Sequence, residues 1–540
     1  MKPILFFCVY YILCYFSGRG IIYFLPICSK IELKKIEIKI FFPLLSLFFL
    51  GNLNIIFNFF FPINRYLIFI YFLITISLNI FFLDINKFKE IKLQNFLYTL
   101  PIFYLPISSY GIGLSYDAGL YHLNFQKWIS SNKIVFGLAN LHMRYGYASI
   151  FDYINTNFWF NNNYLLLHFT NLIFIVVFYQ FILFLLYSKS EKINAIAISI
   201  ILFGILDNFG LNGGKNGFIE IEGVTKYDSV FGIMFCLFII KFLIIQDSKF
   251  KIDKSEQFLI LVLLIFSIEL RPLGFLLIFP FMILYINKKI NLKYRFNIVF
   301  FFILFFSMIK NLIISGCLIF PIESTCIQSL EWYEFGYASM ETSNIQSSLR
   351  SYEIGENIFD WYSYWSNKNI YNKSSLFNFL YSTLFIFFVI SIIFKLNKLK
   401  KYLIIYLSIF SFSIYLWFIT TPDPRFGIGL FMSLISLIAI MFDKIRLNIK
   451  VVKYIGTFLF IFSLIFIIRI DSLKSFIASP LKNITISIPT DVNYINENGR
   501  VFRDNKSEQC WINILCVPSY SQNVYFKTTN LGYDLVMLTD

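Results

Sequence analysis

The sequence predicts an all-α polytopic membrane protein with about 13–14 hydrophobic spans, including a split hairpin. Three observations carry this. Of 540 residues, 58% are hydrophobic and only 14% are charged, against about 25% charged in ordinary soluble domains. Apolar runs of roughly 16–25 residues recur, long enough at about 1.5 Å per residue to cross a hydrocarbon core of roughly 30 Å. The lysines cluster in short segments between those runs. The net charge of +15 is therefore a topology signal, not a nucleic-acid-binding face.

The spans fall at about 4–27, 40–61, 66–84, 95–112, 163–187, 194–209, 229–247, 257–270, 272–287, 296–315, 377–395, 402–420, 427–442 and 452–470. The first has no small-residue cleavage site after it, so it reads as a retained helix rather than a signal peptide. The pair 257–270 and 272–287 is divided by Arg271-Pro272. Proline ends a helix and a buried arginine is costly, which predicts two short helices meeting at one face. Alternate connections, 28–39, 85–93, 188–193, 248–256, 288–295, 396–401 and 443–451, all carry Lys or Arg and are assigned to the cytoplasm.

Every long polar segment then lies on the other side: 113–162, 210–228, 316–376, 421–427 and 471–540. The expected organisation is a multi-pass domain over 1–470 in the cell (inner) membrane, both termini extracytoplasmic. Residues 113–162 and 316–376 are its first and second large extracytoplasmic loops, with short helices. Residues 471–540 read as a small β-rich extracytoplasmic cap, with β-prone runs at 484–488 and 523–527. Cys317 and Cys326 share one outer loop and Cys510 and Cys516 share the tail, which predicts two short-range disulfides on an oxidising side. Cys8, Cys14 and Cys236 lie in apolar spans, and Cys28 lies at the inner boundary.

The residues able to carry chemistry are few. Asp117 closely follows an apolar run, so its carboxylate is placed near the outer surface, able to accept a hydroxyl proton or help hold a divalent cation. An amphipathic helix follows it, so Asp117 is equally a candidate N-cap. His122 and His142 are the histidines outside apolar spans, and His168 sits within one. Arg144, among Tyr145, Gly146 and Tyr147, suits a phosphate or lipid headgroups. Arg271, with Glu269 as the nearby partner, and Arg425, opening another helix, bring two guanidiniums to the same face, as a phosphate or diphosphate requires. The 210–228 loop adds Lys215, Glu220, Glu222, Lys226 and Asp228. Gly213-Gly214-Lys215 fits no P-loop, and no dinucleotide, Ser-His-Asp, zinc or nucleic-acid motif is present.

This arrangement resembles the GT-C superfamily of glycosyltransferases, multi-pass enzymes using polyprenyl-phosphate-linked sugars. They carry an essential Asp in an early extracytoplasmic loop, where Asp117 stands here. The half-helix hairpin around Arg271-Pro272-Leu273-Gly274 is also similar to one common in them. More closely, and over nearly its whole length, the chain is similar to a family of bacterial polytopic membrane proteins with no demonstrated activity. Its shared patterns are Asp-x-Gly-Leu-Tyr-His (here 117–122), Gly-Leu-x-Asn-Leu-His-x-Arg (137–144), Ser-Gly-x-Leu-Ile-Phe-Pro (315–321), Pro-Asp-Pro-Arg-Phe (422–426) and a Cys-Trp…Cys tail (510–516).

The GT-C resemblance implies transfer, with inversion, of a sugar from a polyprenyl-phosphate donor to a cell-envelope glycan or lipid. Asp117 and His122 are then catalytic, and His142, Arg144, Asp228, Arg271 and Arg425 bind substrate. A divalent cation, if used, sits on Asp117. The implied partners are membrane lipids, the lipid-linked donor and the glycan or lipid acceptor. About four spans precede Asp117 where the superfamily usually has one, and Ala118 stands where many members carry a second acid. An O-antigen-type polymerase or ligase is the alternative enzyme class. A polysaccharide or lipid transporter is the non-enzymatic one, and it predicts polar residues lining both halves of the membrane.

Overall fold

The computed structural model describes residues 2–24, 36–80, 93–160, 163–208, 221, 223–248, 252–291, 293–350, 401–420, 424–441, 449–489, 494–497, 500–503, 509–514, 516–517 and 524–538. The sequence readings for span 377–395, for Lys215, Glu220, Glu222 and Cys28, and for the second half of the 316–376 loop lie outside the described residues.

The described chain is mostly helical. α1 (Lys2–Phe24) packs against α2 (Ile36–Asn58) and α3 (Tyr66–Ile80). Their few polar groups are matched across the contacts: Thr75 Oγ1 donates to Ser17 Oγ at 2.8 Å, and Asn79 Nδ2 to the Phe16 carbonyl at 2.7 Å. Such pairing is what apolar surroundings demand of a polar side chain. α4 (Leu93–Tyr104) tightens into a 3-10 turn, Leu105–Tyr110, where Pro106 removes an amide donor. The polar loop that follows holds α5 (Leu123–Ser131) and α6 (Ile150–Asn155).

α7 (Leu165–Leu186), α8 (Glu191–Asn208), α9 (Asp228–Asp247) and α10 (Lys254–Leu270) come next, followed by α11 (Ile278–Ile286), α12 (Phe296–Ser315) and α13 (Tyr337–Arg350). The series ends with α14 (Lys401–Thr420), α15 (Pro424–Met441), α16 (Ile449–Ile467) and α17 (Ile470–Ala478). α7 and α9 are buried almost throughout and form the centre. α15 covers α8 and α9, and α16 covers α8.

Five helices among the described residues are long and apolar enough to cross a membrane: Lys2–Ile22, Glu37–Asn58, Leu165–Leu186, Asp228–Asp247 and Phe296–Ser315. α16 and α17 together pass the same test but bend by 77°. Tyr66–Asn79, Pro272–Ile286, Leu407–Ile419 and Phe426–Ile440 are shorter apolar helices. The outward faces of α1 and α12 expose Phe6, Val9, Ile12, Phe301, Phe302 and Phe305. Contact with hydrocarbon rather than water removes the penalty of such a belt.

The predicted split at Arg271-Pro272 is present. α10 stops at Leu270, Arg271 is extended (φ −153°, ψ 149°), and Pro272 opens a 3-10 turn, Pro272–Leu277, that leads into α11. A Cβ on Gly274 would come 2.3 Å from the Ser267 carbonyl oxygen. Only glycine lets the turn fold back on the last turn of α10.

The tail forms two small sheets. β1 (Tyr494–Glu497) and β2 (Arg500–Arg503) pair antiparallel, and β3 (Cys516–Val517) joins β2 in parallel. β4 (Val524–Thr528) and β5 (Asp534–Leu538) form a hairpin with Tyr525 opposite Met537. The run at 523–527 thus becomes β4, whereas 484–488 is not a strand. Its Ile486 is pinned instead to the start of α7, accepting from the Tyr164 amide at 2.9 Å and donating to Asn163 Oδ1 at 3.1 Å. The hairpin docks on the first polar loop, where Phe136 and β5 exchange backbone hydrogen bonds of 2.9 Å. Cys317 and Cys326 form the expected disulfide. Cys510 is also disulfide-bonded, while the side chain of Cys516 lies outside the described residues.

Candidate functional site

Asp117 does not cap a helix. Its backbone is already helical (φ −63°, ψ −21°) and its side chain makes no capping bond. Ser115 does that work, its Oγ accepting the Ala118 amide at 3.1 Å. The next turn, Ala118–His122, is π-helical, a local widening often found where side chains are aimed for function. The Asp117 carboxylate is thereby free to face Arg144, whose Nη1 lies 3.5 Å from Oδ1. Both are accessible, at 23% and 35% of their side-chain surface.

Arg144 projects from the 3-10 turn Met143–Tyr147, whose N-cap is His142. His142 Nδ1 accepts the Arg144 amide at 3.1 Å. Burial and the neighbouring guanidinium push the His142 imidazole down to about 3, so it stays neutral. This histidine holds the Arg144 turn and brings no positive charge to the site. The Arg144 guanidinium lies 5.4 Å from the centre of the Tyr121 ring, and its Nε is 3.9 Å from Glu341 on α13. Burial raises Glu341 to about 7, against the opposing pull of Arg144 and the Tyr147 hydroxyl.

Arg271 pairs with Asp228, the first residue of α9, not with Glu269 as expected from sequence. The extended backbone at Arg271 sends its side chain across to α9, whereas Glu269, still in α10, turns into the bundle and accepts from Asn52 Nδ2 at 3.0 Å. Lys226 also approaches Asp228, at 3.8 Å. The Arg271 guanidinium lies over Tyr227 at 5.2 Å and Phe426 at 4.8 Å. Phe426 thus brings the first turn of α15 to the site, while the side chain of Arg425 beside it lies outside the described residues. The two arginines share neighbours: the charges of both reach the Tyr121 and Tyr147 hydroxyls.

A third group lies just beneath. His122 Nδ1 is 3.0 Å from Asp152 Oδ1, and that oxygen also accepts Gln126 Nε2 at 2.9 Å. Gln126 Oε1 in turn accepts the Trp159 indole N–H at 2.9 Å. His122 and Asp152 are both buried. His168, by contrast, is bound to Ser108 at 2.9 Å inside the bundle, a structural place as expected.

The domain family described as "Domain of unknown function (DUF8201)" matches residues 1–432, which include all of these side chains. The chain belongs to the DUF8201 family. No curated protein and no solved structure matches it.

This DUF8201 site gathers Asp117, His122, His142, Arg144, Asp228 and Arg271 from four separate segments, as the sequence reading requires. Asp152, Tyr121, Tyr227 and Glu341 complete it and were missed. Gln126 follows His122 by four positions, a spacing that puts both on one helix face, and this was the one local sign of the buried network. Among the described residues no three His, Cys, Asp or Glu gather as a metal site needs. The neighbour of Asp117 is itself a cation, so the donor set there does not fit a divalent ion. Chemically, the site offers an accessible carboxylate, a carboxylate-bound imidazole and two guanidiniums on aromatic rings, a set suited to a phosphorylated ligand and a hydroxyl. An apolar groove of about 540 Å³, lined by Phe6, Val9, Phe69, Phe158 and Leu165, lies elsewhere.

Proposed function

We propose that this protein is a membrane-embedded glycosyltransferase of GT-C type. It transfers a sugar from a polyprenyl-phosphate donor to a cell-envelope glycan or lipid on the extracytoplasmic face of the cell membrane. The observation that carries the reading is the Asp117 carboxylate: uncommitted to capping, accessible, and held at Arg144 beside a second aromatic-seated arginine, Arg271. A guanidinium has five N–H donors, so each arginine keeps donors for phosphate oxygens while bound to its carboxylate. The extracytoplasmic placement is supported by the lysine-bearing connections at the opposite ends of the helices.

Deleting the gene and comparing envelope glycans with those of the parent tests the reading. Loss of a sugar substituent is expected, restored by the wild-type gene but not by Asp117→Asn at equal membrane abundance. Loss of a carboxylate that holds the acceptor hydroxyl in place should lower the rate by about 10²-fold. Unchanged glycans in the deletion strain, or full restoration by Asp117→Asn, would overturn it.

A further inference from the structure

We infer that the proton acceptor of this site is Nε2 of His122, positioned by Asp152, and that Asp117 orients the acceptor hydroxyl instead. This inference rests on the transferase reading above. It begins with Trp159, whose indole can only donate a hydrogen bond. The indole N–H at 2.9 Å fixes the Gln126 carbonyl oxygen toward Trp159, and so turns the Gln126 amide nitrogen toward Asp152. Asp152 therefore accepts from Gln126 and, through the same oxygen, from His122 Nδ1. The neutral imidazole must carry its proton on Nδ1, which leaves the Nε2 lone pair available. Among the described residues Nε2 has no hydrogen-bond partner.

The position suits the chemistry. The His122 ring is 4.0 Å from the ring of Tyr121 and 5.3 Å from that of Tyr227. Those are the two rings that seat Arg144 and Arg271. His122 thus lies beneath the two rings that seat the cations expected to hold the donor phosphate, set apart from the phosphate itself. The ionisable groups facing the His122–Asp152 pair are Tyr121 on the histidine's own turn, Tyr227 ahead of α9 and Lys310 from α12, whose charge reaches Asp152. Arg144, Arg271 and Asp117 lie beyond the rings. Asp117 faces the Arg144 guanidinium at 3.5 Å, whereas Nε2 of the buried His122 is left without a hydrogen-bond partner among the described residues.

In the step, the acceptor oxygen forms a bond to the anomeric carbon as its proton passes to Nε2. The bond from that carbon to the phosphate oxygen breaks, and its electron pair leaves on the phosphate, facing the two guanidiniums. The imidazolium, held by Asp152, then releases the proton to water.

The test uses the full-length protein in the deletion strain, with the missing glycan substituent as readout and membrane abundance as control. His122→Gly is expected to be inactive and to regain transfer when imidazole is added to the medium, with methylated imidazoles of differing basicity giving rates that follow their basicity. Asp152→Asn is expected to lower the rate about 10²-fold and to shift the pH profile of transfer. If His122→Gly does not accumulate, His122→Gln, close in size, carries the same expectation of inactivity. Wild-type transfer by His122→Gln overturns the inference alone, as does rescue of Asp117→Gly by formate with no rescue of His122→Gly by any imidazole. An unchanged glycan in the deletion strain overturns both it and the transferase reading.

Discussion

Arg144 stands between two carboxylates held differently. Asp117 is accessible, whereas Glu341 is buried and raised to about 7 by that burial. A carboxyl whose folded value is raised binds its proton more tightly in the docked state. Its stabilising contribution is complete below about pH 4.5 and is lost as pH rises toward 7, over a span worth about 3 kcal/mol. Docking of α13 should therefore loosen between about pH 4.5 and 7. Glu341→Gln should abolish that dependence and make the protein more resistant to proteolysis near residue 341 at pH 8. Equal pH dependence in both proteins would refute the assignment. Arg271 makes a different demand, because its flat guanidinium is stacked on Tyr227 and Phe426. Lysine cannot stack in this way, so Arg271→Lys should weaken ligand binding by about 1 kcal/mol or more despite the conserved charge, read as a raised donor concentration for half-maximal transfer. Asp117, Arg144 and Arg271 were legible in the sequence because a charged residue is conspicuous in an apolar chain. Which groups pair with one another was not. Asp152 lies 30 positions from His122 and Asp228 lies 43 from Arg271, and no local spacing links them.

At the level of elements, two neighbouring turns show what sequence can and cannot resolve. The hairpin break was readable because proline and arginine each oppose a continuing apolar helix. The start of the 116–122 helix was not, since Ser115 and Asp117 are both good N-cap residues and only backbone geometry chooses between them. That turn is also where the tail is fastened. Trp511 donates its amide to the Gly119 carbonyl at 2.9 Å, and its indole lies where a Gly119 side chain would go, 2.7 Å from an added Cβ. The Asp-x-Gly and Cys-Trp patterns are thus two halves of one contact. Gly119→Ala should push Trp511 away and destabilise the turn by about 1–3 kcal/mol, with Asp117 displaced as a result. The expected signature is a shifted tryptophan emission together with lost transfer. Unchanged emission would show that the indole is not seated there.

For the whole molecule, the chief legible property was the gathering of polar segments at one end of an apolar bundle. The 113–162 loop, the Arg271 turn, the start of α9, the start of α15 and α13 do meet in one site. The number of long spans was less legible, because hydropathy registers an apolar run without showing where the backbone bends, as it does between α16 and α17. The proposed side of the membrane on which the site lies rests on the placement of charge in the sequence, and it is testable apart from any activity. The 3-10 turn Pro272–Leu277 and α11 together extend roughly 25 Å, so exposed Lys288 lies close to a bilayer width from Arg271. Leu531, 79% exposed, lies on the tail hairpin that docks on the 113–162 loop. With Cys8 and Cys28 replaced by serine, one cysteine added at a time, Leu531→Cys or Lys288→Cys, should report opposite faces. A membrane-impermeant maleimide applied to spheroplasts should label the first at once and the second only after permeabilisation. The reverse pattern would put Asp117, Arg144 and Arg271 on the cytoplasmic side, where nucleotide-linked rather than polyprenyl-linked sugars are at hand, and the proposed donor would have to be abandoned.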